Sequence, residues 1–228
     1  MTEQRKNRRI LIAAGGKPDL PPPGSHWDLV IAVDHGGDLL RLWGVEADTI
    51  IGDLDSLSPE GMRHHLEHGA EIIRFSPDKN ETDLELALRN LPNETGNEVY
   101  LTNLWGGRFD HSIMNLLMMS HFTSKGLLLF PTTDGVGGIM GPGRLSLSAP
   151  LHLGTGLIAL SQEVGGLSSH GVQWPLNNEI LRYGESRGVS NRLVHSPWRL
   201  TLGSGALLWL ISGVSRADVE IEWLPEAT

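Results

Sequence analysis

Short, nearly continuous apolar runs alternate with helical periodicity through the first part of this chain. Residues 10–14, 29–33, 49–51, 71–75, 99–104 and 127–130 read as strands. Their unbroken apolar character suits strands covered on both faces. Between them lie helix signals. Ser58-Pro59 offers an N-cap with proline at the first helical position, opening a helix to about residue 68. Thr82-Asp83-Leu84-Glu85 reads as a capping box ahead of Leu86, Ala87 and Leu88. Asp110 is placed to cap a helix carrying Ile113, Leu116 and Leu117. Strand–helix alternation predicts an α/β domain with a mostly parallel sheet.

The remainder has almost no helical period. Residues 145–147, 151–153, 157–160, 198–202, 206–211 and 219–223 are short strand candidates separated by Gly, Pro, Ser and Asn. That pattern predicts an antiparallel sandwich or barrel. The glycine-rich stretches 135–138 and 141–143 mark the expected linker. The expected domains are therefore 8–134, α/β, and 136–228, all-β. No internal repeat is present.

Charge sharpens the division. The 228 residues carry 18 Lys+Arg and 27 Asp+Glu, a formal net charge of −9. Residues 11–135 hold 8 basic and 19 acidic residues, whereas residues 136–228 hold 6 and 7. A short basic start contains Arg5, Lys6, Arg8 and Arg9. An acidic body repels a phosphate backbone, which argues against nucleic-acid binding. The absence of cysteine excludes disulfides, thiolate nucleophiles and Cys-ligated zinc. No apolar run approaches the ~18 residues of a membrane helix, and the first one is too short for a signal sequence. The chain is expected to be cytoplasmic.

The acidic residues fall where chemistry is expected. In open α/β sheets, ligands bind beyond the carboxyl ends of the strands. Here those ends carry Gly15-Gly16, then Asp34 with Gly36-Gly37, then Gly52-Asp53-Leu54-Asp55-Ser56. Asp78, Thr82 and Asp83 follow the fourth strand, and Gly106-Gly107-Arg108-Phe109-Asp110 the fifth. Carboxylates crowded on one edge repel unless a cation lies among them. Hard oxygen ligands select Mg²⁺, which leaves positions for water and phosphate oxygens. Arg108 and Lys79 are the candidate phosphate partners. The pattern describes a Mg²⁺–nucleotide site.

Each piece also has a plainer reading. Asp53 and Asp55 suit an Asx turn, Thr82 and Asp110 suit helix caps, and Arg108 suits a surface charge. Trp174 taken alone suits packing, and Ser190-Asn191 suits a turn. His64, Glu67 and His68 stand at helical spacing, but no third ligand is evident, so they read as a solvated helix face. There is no Gly-x-x-x-x-Gly-Lys-Ser/Thr loop, Gly-x-Gly-x-x-Gly, His-Glu-x-x-His or Gly-x-Ser-x-Gly.

Taken in order, the motifs resemble those of the thiamine pyrophosphokinase (thiamine diphosphokinase) family, from about residue 10 to residue 210. Gly52-Asp53-Leu54-Asp55-Ser56 matches its Gly-Asp-x-Asp-Ser, and Asp78-Lys79-Asn80-Glu81-Thr82-Asp83 its Asp-x-x-x-Thr-Asp. Gly106-Gly107-Arg108-Phe109-Asp110-His111 with Asn115 matches its Gly-Gly-Arg-x-Asp-His and following Asn. Gly171-Val172-Gln173-Trp174-Pro175-Leu176 resembles Gly-Leu-x-Trp-x-Leu, and Ser190-Asn191 its Ser-Asn. The family has Asp-Gly-Gly after the second strand, where this chain has Asp34-His35-Gly36-Gly37. Either His35 replaces a glycine or the turn is shifted by one, and its side chain would obstruct a close backbone–phosphate approach.

The resemblance implies that 8–134 is the catalytic α/β domain, that 136–228 is a β-sandwich helping to hold thiamine, and that ATP and thiamine yield AMP and thiamine diphosphate. It implies a homodimer that binds thiamine between the catalytic domain of one chain and the β domain of the other. It assigns Mg²⁺ to Asp53, Asp55 and Asp83, with Arg108 as a further catalytic residue. The nucleotide and its cation would be met by Asp34, Gly36, Gly37, Ser56, Asp78, Lys79, Thr82, Asp110 and Asn115. Thiamine would be met by Trp174, Ser190 and Asn191. The alternatives are a pyrophosphokinase for another hydroxymethyl heterocycle, such as a pterin, and a catalytically silent thiamine or nucleotide binder. A protein whose Asp residues are only turns and caps is the plainest reading.

Overall fold

The computed structural model describes residues 7–19, 21–24, 26–106 and 108–226. Arg5 and Lys6 of the basic start, and Gly107, lie outside the described residues. The chain forms two compact units: Met1–Asn93 with Asn97–Phe122, and Glu94–Gly96 with Thr123–Thr228. Contacts thus divide the chain earlier than the glycine-rich stretch.

The first unit contains β1 (Arg9–Ala13), β2 (Leu29–Val33), α1 (Gly36–Leu42), β3 (Thr49–Gly52), α2 (Pro59–Glu67), β4 (Glu71–Arg74), α3 (Asp83–Arg89), β5 (Glu98–Thr102) and α4 (Phe109–Met119). Its strands lie in the order β5-β1-β2-β3-β4, and every pair is parallel. Their apolar runs are continuous because β1, β2 and β5 bury residues on both faces. Ile10, Leu11 and Ile12 are wholly buried at its centre. The order runs outward from β1 to β4, then resumes with β5 on the other side of β1. That reversal is a topological switch point, which leaves a crevice beyond the carboxyl ends of β1 and β5.

The helix starts follow local chemistry. Ser58 caps α2, its Oγ accepting from the Gly61 N–H, with Pro59 at the first position. Thr82 caps α3 by accepting from the Glu85 N–H at 3.2 Å. The reciprocal half of the expected capping box gives way to an ion pair, since Glu85 binds Arg89 at 2.7 Å. Arg108, rather than Asp110, is the N-cap residue of α4, and Asp110 sits in its first turn. Helix α1 occupies a stretch read as a glycine turn. A Cβ on Gly36 would lie 1.9 Å from the Ala13 carbonyl oxygen, so glycine lets α1 start directly against β1.

The second unit contains β6 (Leu127–Pro131), β7 (Gly135–Met140), β8 (Gly143–Ser148), β9 (Gly154–Ala159), β10 (Glu163–His170), β11 (Leu176–Arg182), β12 (Asn191–Arg192), β13 (Trp198–Leu202), β14 (Leu207–Ser212) and β15 (Glu220–Pro225). Five strands run in the order β12-β9-β14-β7-β6, and five in the order β11-β10-β13-β8-β15. All pairs within the unit are antiparallel. The two sheets make the expected β-sandwich. β8 and β13 alternate buried and more exposed positions, and Leu145, Leu147, Trp198 and Leu200 supply the inner face.

Two expectations fail here. The glycine-rich 135–138 is not a linker: it forms β7, paired with β6 and β14. Its glycines make room for the Trp209 indole, since a Cβ on Gly138 would come within 2.6 Å of that ring. Residues 151–153 form a turn with His152 at φ 69°, not a strand. Among the described residues, no helix is long and apolar enough to cross a membrane.

Candidate active site

A cleft of about 600 Å³ opens at the switch point of the first unit. Gly15, Gly16 and Lys17 line it after β1, Asp34 after β2, and Asn103 and Leu104 after β5. Ser56, Thr82, Asp83, Arg108, His111 and Asn115 complete the wall. The parallel sheet therefore gathers its strand ends as the order of motifs anticipates.

The acidic edge is built on one tight turn. Asp34 follows β2 with φ 46°, and its Oδ1 accepts from the Leu54 N–H at 3.1 Å. This draws the β3 turn over the carboxylate. Gly52 has φ 149°, and a Cβ there would lie 1.8 Å from Asp34 Oδ1. Only glycine leaves the carboxylate its place. Asp53 Oδ1 accepts from the Asp55 N–H at 3.2 Å, so the Asx turn exists, and Asp53 itself stands outside the cleft lining. Lys79 Nζ lies 3.0 Å from Asp83 Oδ1 and 3.6 Å from Asp53 Oδ2.

Electrostatics record the crowding. Burial, then the negative charges of Asp83 and Asp53, push Asp34 up to about 7, against the opposing Leu54 hydrogen bond. Asp53 is held low, first by the Asp55 N–H and then, against some burial, by Lys79. Burial opposes the Lys79 ammonium, yet Asp83, Asp53 and Asp34 together raise it above the usual lysine value. The edge thus holds more negative charge than one lysine neutralises.

The remaining sequence candidates divide. Ser56 lines the cleft, and its Oγ accepts from the His35 N–H at 3.3 Å. Asn115 donates to the Leu104 carbonyl at 3.1 Å and forms part of the wall. Arg108 reaches the wall while paired with exposed Asp110 at 2.6 Å, and each holds the other in its charged form. Asp55 and Asp78 are exposed and lie outside the lining. Gly36 and Gly37 are buried in α1 and do not line the cleft. The His35 side chain turns to Asp38, with Nδ1 3.3 Å from Oδ2.

Sequence reasoning missed Lys17, His111 and Asn103 as wall residues. Asn103 is wholly buried with φ 58°. Its Oδ1 accepts from the Asp19 N–H at 2.9 Å, and its own N–H donates to Asp19 Oδ2 at 2.7 Å. Its Nδ2 has no hydrogen-bond partner among the described residues. The signal available was an Asn, tolerant of positive φ, just after a strand.

The second unit brings together Trp174 and Asn191. The Trp174 N–H donates to Asn191 Oδ1 at 3.1 Å, and Asn191 Nδ2 donates to the Trp174 carbonyl at 2.7 Å. Trp174 is 57% exposed, an unusual position for so large an apolar side chain. Ser190, at φ 60°, is exposed beside them.

The model of the thiamin pyrophosphokinase catalytic domain matches residues 24–130, and that of its vitamin B1 binding domain matches residues 154–207. The chain belongs to the thiamine pyrophosphokinase family. The second match contains Trp174, Ser190 and Asn191, and the first contains the whole acidic edge. A thiamine pyrophosphokinase of Bacillus subtilis is 28% identical over 90% of this chain and 99% of its own length. Thiamine pyrophosphokinase 1 of rice is 30% identical over 72% of this chain, which spans 66% of that relative. Among solved structures, the Bacillus subtilis family member superposes with a TM-score of 0.72 at 24% identity, covering 90% of this chain and 99% of its own. The yeast enzyme's structure gives 0.68 at 18% identity, covering 92% and 87%. These likenesses establish the shared fold.

Proposed function

We propose that the chain is a thiamine diphosphokinase, moving the pyrophosphoryl group of ATP to the thiamine hydroxyl and releasing AMP. The carrying observation is the cluster of Asp34, Asp53 and Asp83 about Lys79 at the edge of the switch-point cleft. Family membership supports an ATP-dependent pyrophosphotransferase, and the match to a vitamin B1 binding domain favours thiamine over a pterin-like heterocycle.

A magnesium ion suits this donor set: hard carboxylate oxygens, in excess over the cation present. Among the described residues, no three of these carboxylates bring ligand oxygens within 4.8 Å of one another. Lys79 instead bridges Asp53 and Asp83. Asp53 and Asp83, with Asp55 from the same turn, would hold the ion, and Asp34 would stand behind them. When bound, Mg²⁺ would neutralise polyphosphate charge and favour attack at phosphorus.

The hydroxyl oxygen forms a bond to the β-phosphorus. The bond from that phosphorus to the bridging oxygen breaks, AMP leaves with that oxygen, and the hydroxyl proton is lost. Transfer of this type needs alignment and charge neutralisation above all. Lys79 and Arg108 supply positive charge to the polyphosphate. Arg108 exchanges its exposed Asp110 partner for phosphate oxygens. Asn115, Thr82 and Ser56 shape the wall, and Asp78 supports the turn entering α3.

In the second unit, Trp174 offers an aromatic face to the cationic vitamin, with Ser190 and Asn191 as polar partners. We place thiamine between the catalytic unit of one chain and the β unit of a second copy in a homodimer. The exposure of Trp174, and of Phe109, Ile113 and Met114 on α4, supports that assembly. A cytoplasmic location belongs to the same proposal, supported by the cysteine-free sequence.

AMP release with ATP and a panel of hydroxymethyl heterocycles tests the function. Release should require both thiamine and Mg²⁺. Turnover with a pterin but not thiamine would overturn the assignment, as would binding of both ligands without turnover.

A further inference from the structure

The histidines at helical spacing on α2 acquire in the fold the third ligand that the sequence does not show. Ligand atoms of Glu46, His64 and His68 lie within 4.8 Å of one another, the one such trio among the described residues. We propose that these three side chains form a second cation site, selective for a borderline transition-metal ion such as Zn²⁺. It stands independently of the reaction assigned above.

Topology brings the trio together. Glu46 lies in the connection from α1 into β3, and His64 and His68 occupy the last turn of α2 and its C-cap. In a parallel sheet, α2 leaves the carboxyl end of β3 and returns to the amino end of β4. The trio therefore gathers at the amino edge, opposite the cleft, and none of its members lines that cleft. Glu67, at the intervening helical position, turns away to Arg63 at 3.9 Å.

The donor chemistry is specific. His64 Nε2 lies 3.0 Å from Glu46 Oε2 and 3.1 Å from Oε1. His68 Nδ1 lies 3.6 Å from the same carboxylate and 2.7 Å from the His64 carbonyl oxygen. A carbonyl only accepts, so His68 Nδ1 donates to it at rest, and binding an ion through this atom, the one that faces Glu46, requires it to give up that proton and that bond. The His64 and His68 rings lie 4.6 Å apart, close enough to meet one ion. His64 must give up the Nε2 proton that now faces Glu46, either to solvent or to its own Nδ1. His65 does not join, because Nδ1 accepts from the Ala47 N–H and Nε2 meets the Gly37 carbonyl. Two imidazole nitrogens and one carboxylate, open to water, form a three-ligand Zn²⁺ set. Mg²⁺ prefers all-oxygen sites, so the two cations sort between the two edges of the sheet.

The test uses the full chain in excess Mg²⁺. Zn²⁺ binding is followed by calorimetry, and Co²⁺ by its visible absorption. One ion should bind per chain and raise the thermal midpoint. His64→Ala and His68→Ala should each weaken Zn²⁺ binding at least about tenfold, and Glu46→Gln should weaken it as well. Glu67→Gln and Asp53→Asn should leave it unchanged. Circular dichroism establishes that each variant folds. Absence of saturable uptake would reduce the trio to a surface ion pair. Uptake undiminished in the double variant His64→Ala/His68→Ala, or abolished by Asp53→Asn, would place the ion elsewhere. Either result overturns the proposal.

Discussion

The two units present opposite kinds of chemistry at their surfaces. The first crowds formal charges at the ends of parallel strands, where Asp34, Asp53 and Asp83 perturb one another through partial burial. The second presents a neutral, exposed indole on a stretch of main chain that makes two hydrogen bonds to Asn191. A charge placed by strand ends acts over several ångströms and depends on every neighbour. An aromatic face acts only on contact and depends on little beyond its own turn. Chemistry should therefore be fragile in the first unit, and recognition locally separable in the second.

The largest expected effect breaks the first side of that contrast. Asp53→Asn removes a carboxylate facing Lys79 and should lower kcat/KM by about a hundredfold to a thousandfold, with circular dichroism unchanged. Full activity in steady-state assays would detach the acidic edge from the reaction.

Next comes Asp38, which ties the two helices of the same edge together. Its Oδ2 accepts from the Ser58 N–H at 2.9 Å, its Oδ1 pairs with the Ser58 hydroxyl, and His35 lies alongside. Asp38→Ala should cost about 1–3 kcal/mol in urea unfolding. Burial opposes its ionised form, but the Ser58 and His35 bonds outweigh that and hold the folded pKa low. A depressed carboxyl contributes stability above its unfolded value of about 4 and loses it as pH falls through the lower folded value. The difference between wild type and variant should therefore shrink in acid below that value. A difference constant from pH 7 to pH 3 would sink this account.

The smallest effect sharpens the second side. Trp174→Ala should raise KM for thiamine roughly fivefold, about 1 kcal/mol of cation–π contact, with kcat and the thermal midpoint nearly unchanged. A composite site adds a consequence. Mixed Asp53→Asn and Trp174→Ala chains should recover a site intact at both positions, and activity should exceed that of either parent at low thiamine. Activity equal to the parents' average would favour sites built within one chain.

The legible part of the fold lay in signals carried by neighbours in sequence. Continuous runs marked β1, β2 and β5, because strands covered on both faces need no polar alternation. Ser58 and Thr82 announced α2 and α3, because an N-cap bonds only two or three residues ahead. The acidic motifs were equally visible, since each occupies one strand end. Glycine misled the reading twice. In Gly36 it permits a helix against a strand, and in β7 it admits the Trp209 ring.

Sequence alone therefore determined the family, the two fold classes and the residues that carry charge at the strand ends. All of these rest on contacts or order along the chain. Tertiary structure decided what those residues do to one another. It set Lys79 between Asp53 and Asp83, buried Asn103 at the cleft with its Nδ2 unpartnered among the described residues, and delivered Glu46 to His64 and His68. Each of these depends on groups brought together across the sheet, where distance in space no longer follows distance in sequence.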